Sequence, residues 1–239
     1  MKKNYYILLI CFCAGYNVVA AQDTPAELAS FKEKVDRAMI KFENTNKQLW
    51  SYNIFRYQNE EGDISSSIEQ HLPQANEPWL LKQINGQPAT NEQIKKFAKK
   101  QQKQTKNIQF KLRKLINEES LTIVSADEKH IVMAFNVFMK KLGKDSIGKL
   151  QGKLIYQKEQ QFIQQISIWN NAAFTPMFTA NITDLAITLT FVNINGAILS
   201  KQNEMKMKGS FAYITEINET SLDTFSNYLY QGEQDVLKN

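Results

Sequence analysis

Cysteine, histidine and glycine are all scarce in this chain, and each scarcity removes a class of chemistry. Both cysteines of the 239 residues, Cys11 and Cys13, fall in the first apolar stretch. From residue 22 onward there is none, which excludes disulfides, thiolate metal sites and a nucleophilic thiol from the remainder. The 2 histidines, His71 and His130, stand in no metal-ligating spacing such as His-Glu-x-x-His, and each reads as a structural residue. The 9 glycines form no phosphate-cradling cluster. Gly143-Lys-Asp-Ser-Ile-Gly148 has the wrong spacing for a nucleophile elbow and reads as a turn. The acidic pairs Glu60-Glu61, Glu118-Glu119 and Asp127-Glu128 fall in expected turns, where carboxylates are solvated. No cofactor or metal is expected.

A long hydrophobic run is also missing. Lys2 and Lys3 precede an apolar stretch from Tyr5 to Val19 that is interrupted by Gly15 and Asn17 and closed by Ala20 and Ala21. That is the three-part layout of a secretory signal and too short for a membrane span. Cleavage is expected after Ala21, giving a signal peptide at 1–21 and a single domain at 22–239 with a periplasmic address. Ile10 and Phe12 occupy the places where a lipidated cysteine wants small residues, so no lipid anchor is expected. The formal charge of +5 includes Lys2 and Lys3, so the basicity of the remainder is mild and nucleic acid is not an expected partner.

Strand periodicity dominates what is present. Leu185, Ile187, Leu189 and Phe191 alternate with Thr188 and Thr190, and Asn195-Gly196 then supplies the positive φ angles of a two-residue hairpin leading into Ile198–Met207. Further strands are expected from Gly209 through Ile217 and, separately, from Leu222 to Leu229. Leu154–Tyr156 and Phe162–Trp169 read as another hairpin. Upstream, Trp50–Tyr57 carries Tyr52 and Ile54 on one side and Phe55 and Tyr57 on the other, and Ile131–Met139 alternates equally apolar residues. Both read as strands greasy on two faces, which needs two covers or a ligand. Thr24, Pro25 and Glu27 open a helix whose stripe is Leu28, Phe31, Val35, Met39 and Phe42.

Trp79-Leu-Leu-Lys-Gln-Ile-Asn-Gly-Gln-Pro-Ala-Thr90 is a short strand, a tight turn and a helix cap. It resembles a Trp-Leu-Leu-x-x-Ile-Asn-Gly-x-Pro-x-Thr segment of uncharacterised exported bacterial proteins, a likeness of about a dozen residues that implies no activity. The helix after it sorts Ile94, Phe97, Ala98, Gln101 and Thr105 to one side and Lys95, Lys96, Lys99, Lys100 and Lys103 to the other, an outer face suited to anionic headgroups.

The order of a leading amphipathic helix, many antiparallel strands and an inserted helix is similar to the LolA and LolB superfamily of lipoprotein carriers, which are half-open barrels. Tyr52-Asn-Ile-Phe-Arg-Tyr57 resembles an Arg-bearing aromatic strand of such carriers, although its place in the chain order differs and no role passes to Arg56. The resemblance implies an α+β domain with a strongly curved antiparallel sheet that binds acyl chains without a cofactor. The expected function is a non-catalytic carrier of a lipid, acyl chain or other hydrophobic ligand, with Trp50, Trp79, Leu81, Phe135, Trp169 and Phe178 as ligand contacts. The alternatives are an envelope protein-interaction module with a filled core and a hydrolase using paired carboxylates.

Overall fold

The computed structural model describes residues 24–104, 111–139, 142–177, 179–212 and 214–232. The expected signal peptide at 1–21 lies outside the described residues, as does Phe178. Helix α1 (Pro25–Asn44) starts as its sequence dictates, with the Thr24 side chain accepting a hydrogen bond from the Glu27 amide at 3.3 Å. It is followed by β1 (Trp50–Glu60), β2 (Asp63–His71), β3 (Trp79–Ile84), β4 (Gln87–Pro88), α2 (Asn91–Gln104), β5 (Thr122–Ala126), β6 (His130–Asn136), β7 (Leu150–Gln157), β8 (Phe162–Asn170), β9 (Phe174–Met177), β10 (Ala180–Ile194), β11 (Ala197–Phe211) and β12 (Thr215–Tyr230).

The strands form one curved, unclosed antiparallel sheet in the order β4-β3-β2-β1-β12-β11-β10-β8-β7-β6-β5, with β9 beside β10. Asn195 (φ 50°) and Gly196 (φ 88°) make the expected hairpin between β10 and β11, and Asn85 (φ 49°) with Gly86 (φ 76°) turns β3 into β4. The strand expected from Gly209 through Ile217 is divided between β11 and β12, and its second part is continuous with the strand expected from Leu222. Strand β11 runs on to Phe211, and Thr215–Tyr230 is a single strand through Ile217 and Leu222. Between Ile217 and Leu222, pairing to β1 on one side and β11 on the other holds the polar residues Glu219, Thr220 and Ser221 extended.

Directly paired residues share a face. One row therefore crosses the sheet from Arg56 and Asp223 through Asn203 to Leu189, Ile166 and Leu154. This is the inner face, where α1 packs. Phe31, Val35, Ala38, Met39 and Phe42 of α1 are buried, the Phe42 and Phe191 rings meet edge-on at 5.0 Å, and the Ile198 amide donates to Thr45 Oγ1 at 3.1 Å. Each such apolar side chain contributes about 1.5–3 kcal/mol on burial, enough to fix the helix on this half of the sheet. The core continues through Ile131, Met133, Leu154, Ile166 and Ile168, and Leu112, Leu115 and Ile116, after α2, close it from the side.

On the outer face β1 carries Phe55 and Tyr57 and β6 carries Val132 and Ala134, so these two strands are apolar on both faces as expected, but the central strands differ. In β10 and β8 that face carries Ala186, Thr188, Thr190, Gln165 and Ser167, and on β1 Phe55 is exposed. Alternation along β10 sets its apolar residues inward and Thr188 and Thr190 outward, so this stretch of the second side needs no cover.

Candidate functional site

Polarity along the inner face changes between β11 and β12. On β10 and β11, Ile187, Leu189, Met205 and Met207 are half-buried at the margin of the core, and Ile217 of β12 packs with them. Beyond this margin the same face of β12, β1 and β2 carries charge. Arg56 Nε donates to Glu69 Oε1 at 2.9 Å and Nη1 donates to Asp223 Oδ2 at 2.5 Å, while the Ser67 hydroxyl donates to Glu69 Oε1 at 3.2 Å. The side chains are 33% exposed for Arg56, 24% for Asp223 and 5% for Glu69. Glu69 Oε2 is buried without a hydrogen-bond partner, a condition shared among the described residues only by Gln164 Oε1. Burial pushes the Asp223 carboxyl up and Arg56 pulls it back.

An aromatic cluster adjoins the charges. Tyr52, two residues before Ile54 on the same face, has its ring 4.9 Å from His71, 6.0 Å from Trp79, 5.9 Å from Phe225 and 5.2 Å from Tyr228. His71 stands 4.7 Å from Trp79 and donates from Nδ1 to the Trp50 carbonyl at 2.9 Å, which leaves Nε2 as the acceptor nitrogen when the ring is neutral. Burial holds its imidazole below the ordinary value, opposed by that hydrogen bond. The Tyr52 hydroxyl is pushed up to about 12, chiefly by burial, with Arg56 opposing and Glu69 adding. Tyr228 is also driven upward by burial, and its hydroxyl donates to the Ser200 carbonyl at 2.6 Å. Tyr52, His71, Trp79, Phe225 and Tyr228 are all half-buried. The bulge in the β1–β12 pairing at Ser51/Asn53, with Asn227 at φ 55°, keeps Tyr228 on the same side as Phe225.

The residues expected to contact a ligand do not form one surface. Trp50, Trp79 and Leu81 lie on the inner face of β1 and β3, with Trp50 packed on Tyr228 and Tyr230 and Leu81 paired with Glu69. Phe135 is on the inner face but far across the sheet in β6, its ring lying over Gly152 as part of the core. Trp169 is on the outer face, because Ile168 before it points inward, and Lys153 stands over its ring at 5.9 Å. Phe178 lies outside the described residues. The three acidic pairs of the turns take no part in the site, Glu118 pairing instead with Arg113 beside Asp36, and the carboxylates joined through Arg56 are Glu69 and Asp223. They were invisible in sequence because 167 positions separate Arg56 from Asp223.

Helix α2 begins with the expected capping box: Gln93 N donates to Thr90 Oγ1 at 3.3 Å and Thr90 N donates to Gln93 Oε1 at 2.8 Å. It lies against β3 with Ile94, Phe97, Ala98 and Gln101 half-buried and Lys95, Lys96, Lys99 and Lys100 exposed, Lys96 pairing with Glu92 at 2.7 Å. The Lys103 side chain lies outside the described residues. No helix among the described residues is long and apolar enough to cross a membrane.

No family model matches this chain, and no curated protein matches it. It is similar to the crystal structure of a DUF1329 family protein from Desulfovibrio piger, with 89% of this chain and 95% of that one covered, 10% identity and a TM-score of 0.37. A likeness of that degree carries no functional argument.

Proposed function

We propose that this is a non-catalytic binding or carrier protein that holds a lipid, acyl chain or other hydrophobic ligand on the inner face of its curved sheet. The observation that carries this reading is the margin of that face. Ile187, Leu189, Met205, Met207 and Ile217 are half-buried where the core ends, and the half-buried rings of Tyr52, Trp79 and Phe225 lie on the same face further along. Apolar and aromatic walls with few polar anchors are the usual lining of small-molecule sites. Half-buried Met side chains adapt to ligands of varied shape. The Arg56-bridged carboxylates suit a structural or headgroup role better than acid–base catalysis, because the guanidinium occupies an oxygen of each. The reading keeps the periplasmic address and the carrier-like layout expected from the sequence, with Trp50, Trp79 and Leu81 near the ligand.

Exposed Lys95, Lys96, Lys99 and Lys100 support contact between α2 and an anionic membrane surface, where each lysine contributes about 1 kcal/mol. Replacing all four with glutamine should abolish sedimentation with anionic vesicles; unchanged sedimentation removes this contact from the proposal. A second reading, a protein-interaction module of the envelope, is favoured by Met177, Phe211 and Ile214, exposed at the ends of β9 and β11 and in the turn after it.

Solvent extraction of protein purified without detergent, followed by mass spectrometry, tests the main reading. A recurrent stoichiometric lipid or amphiphile is the expected result. Its repeated absence, together with failure of the protein to take up a fluorescent fatty-acid probe, would overturn the carrier reading in favour of the interaction module.

A further inference from the structure

We propose that the charged end of the inner face selects ligands with a cationic head, a primary amine or a quaternary ammonium, with the apolar part of the same molecule lying along Met205 and Leu189. This rests on the carrier reading and specifies the chemistry of its ligand.

The inference begins with charge. The Arg56 cluster sets one guanidinium against two carboxylates, leaving one negative charge in excess on this patch. Both hydrogen bonds that Arg56 makes go to those carboxylates, one through Nε and one through Nη1. An anionic head approaching Arg56 would meet Glu69 and Asp223 already in place and would have to displace one of them. A cationic head meets no such competition, because Asp223 is partly open to solvent and keeps its second oxygen.

The second observation is Glu69 itself. Its side chain is 95% shielded, and Oε2 has no hydrogen-bond partner although the other oxygen accepts two. A buried carboxylate oxygen without a donor is costly, and its field is poorly screened. That field favours a positive charge on the face that Asp223 shares with it. Aromatic rings complete the arrangement. Phe225 follows Asp223 by two positions on the same face and paired Ile54, and its ring is 5.9 Å from that of Tyr52. Carboxylate beside aromatic faces is the combination that recognises ammonium groups. The row from Arg56 and Asp223 through Asn203 to Leu189 then leads from charge to apolar surface, the polarity sequence of an amphiphile.

The test uses three probes of one chain length, decyltrimethylammonium, decanol and decanoate, each below its micelle concentration. They are titrated against purified protein by tryptophan fluorescence at about 0.15 M ionic strength, where long-range charge effects are screened beyond about 8 Å. The formal +5 of the whole chain favours decanoate, so a preference for the ammonium runs against the overall charge. The expected result is that the ammonium binds at least about tenfold more tightly than decanoate, about 1.4 kcal/mol. Asp223→Asn should weaken the ammonium about tenfold and leave decanol unchanged. Phe225→Leu, which keeps every charge, should also weaken the ammonium more than decanol, and it decides the matter if Asp223→Asn fails to fold. Equal binding of all three probes, or tightest binding of decanoate, overturns the headgroup assignment and leaves the carrier reading standing. If none of the three binds, the carrier reading falls and this inference falls with it.

Discussion

Replacing Arg56 with methionine removes a charge while keeping much of the stem that packs on the sheet. Two ion pairs are lost, of unequal value. The Asp223 side chain is 24% exposed, so its share is at most about 1 kcal/mol. Glu69 is only 5% exposed, and stranding a buried carboxylate costs about 3–5 kcal/mol where solvent is fully excluded. Arg56 is itself 33% exposed, and water can approach the vacated position, so the total expected at about pH 7.5 is about 3 kcal/mol. In a domain of this size that lowers the melting temperature by about 6–12 °C. Arg56→Met combined with Glu69→Leu should come back to within about 1 kcal/mol of the parent, because an apolar pair of similar volume commonly replaces a buried ion pair without loss. Urea denaturation of both variants measures this. A loss below about 1 kcal/mol, or a double variant no better than the single one, would refute the reasoning.

Gly152→Ala places a Cβ 2.3 Å from the Phe135 ring, so it should cost about 1–3 kcal/mol by overpacking, and Phe135→Leu in the same chain should recover part of that loss. Additive losses in a double-mutant cycle would show that the ring does not lie where the site places it. Gly196→Val puts a branched side chain at φ 88° in the β10–β11 turn and should cost about 1–2 kcal/mol in thermal unfolding; a neutral result would mean that another turn geometry is available. His71 favours its neutral form in the fold, so its contribution to stability is complete above the ordinary value of 6.5 and is lost as the pH falls through the lower folded value. Fluorescence of Trp79, whose ring centre is 4.7 Å from that of His71, should titrate with a midpoint below 6.5 that disappears in His71→Gln, and a midpoint at or above that value contradicts the assignment.

Local chemistry made much of the fold legible. The N-cap at Thr24, the capping box at Thr90, the stripe Phe31–Phe42, the Asn195-Gly196 turn and the alternation from Leu185 to Phe191 each act within a few residues, and each is realised. Strand β12 is hard to read in sequence because its inner face between Ile217 and Phe225 is Glu219, Ser221 and Asp223. With no apolar alternation there, only pairing to β1 and β11 holds it straight. The same fact hid the candidate site. Arg56, Glu69 and Asp223 come from three strands whose order in the sheet is not their order in the chain, and no spacing in the sequence announces it. Trp169 was placed on the wrong side for a simpler reason: an aromatic residue at the end of an alternating strand belongs to whichever face its neighbour Ile168 leaves free, and Ile168 faces the core.

The position of β12 between β1 and β11 has a consequence for how the polypeptide is made. The hairpin of β1 and β2 leaves the ribosome early and finds the middle of the sheet missing until a segment some 167 positions later has been synthesised. At ordinary elongation speeds that interval is roughly ten to thirty seconds, during which an unzipped β edge is available to any passing chain. Closure of the sheet thus waits for a keystone that arrives late, and until then the open side of β1 is the edge most exposed to wrong pairing.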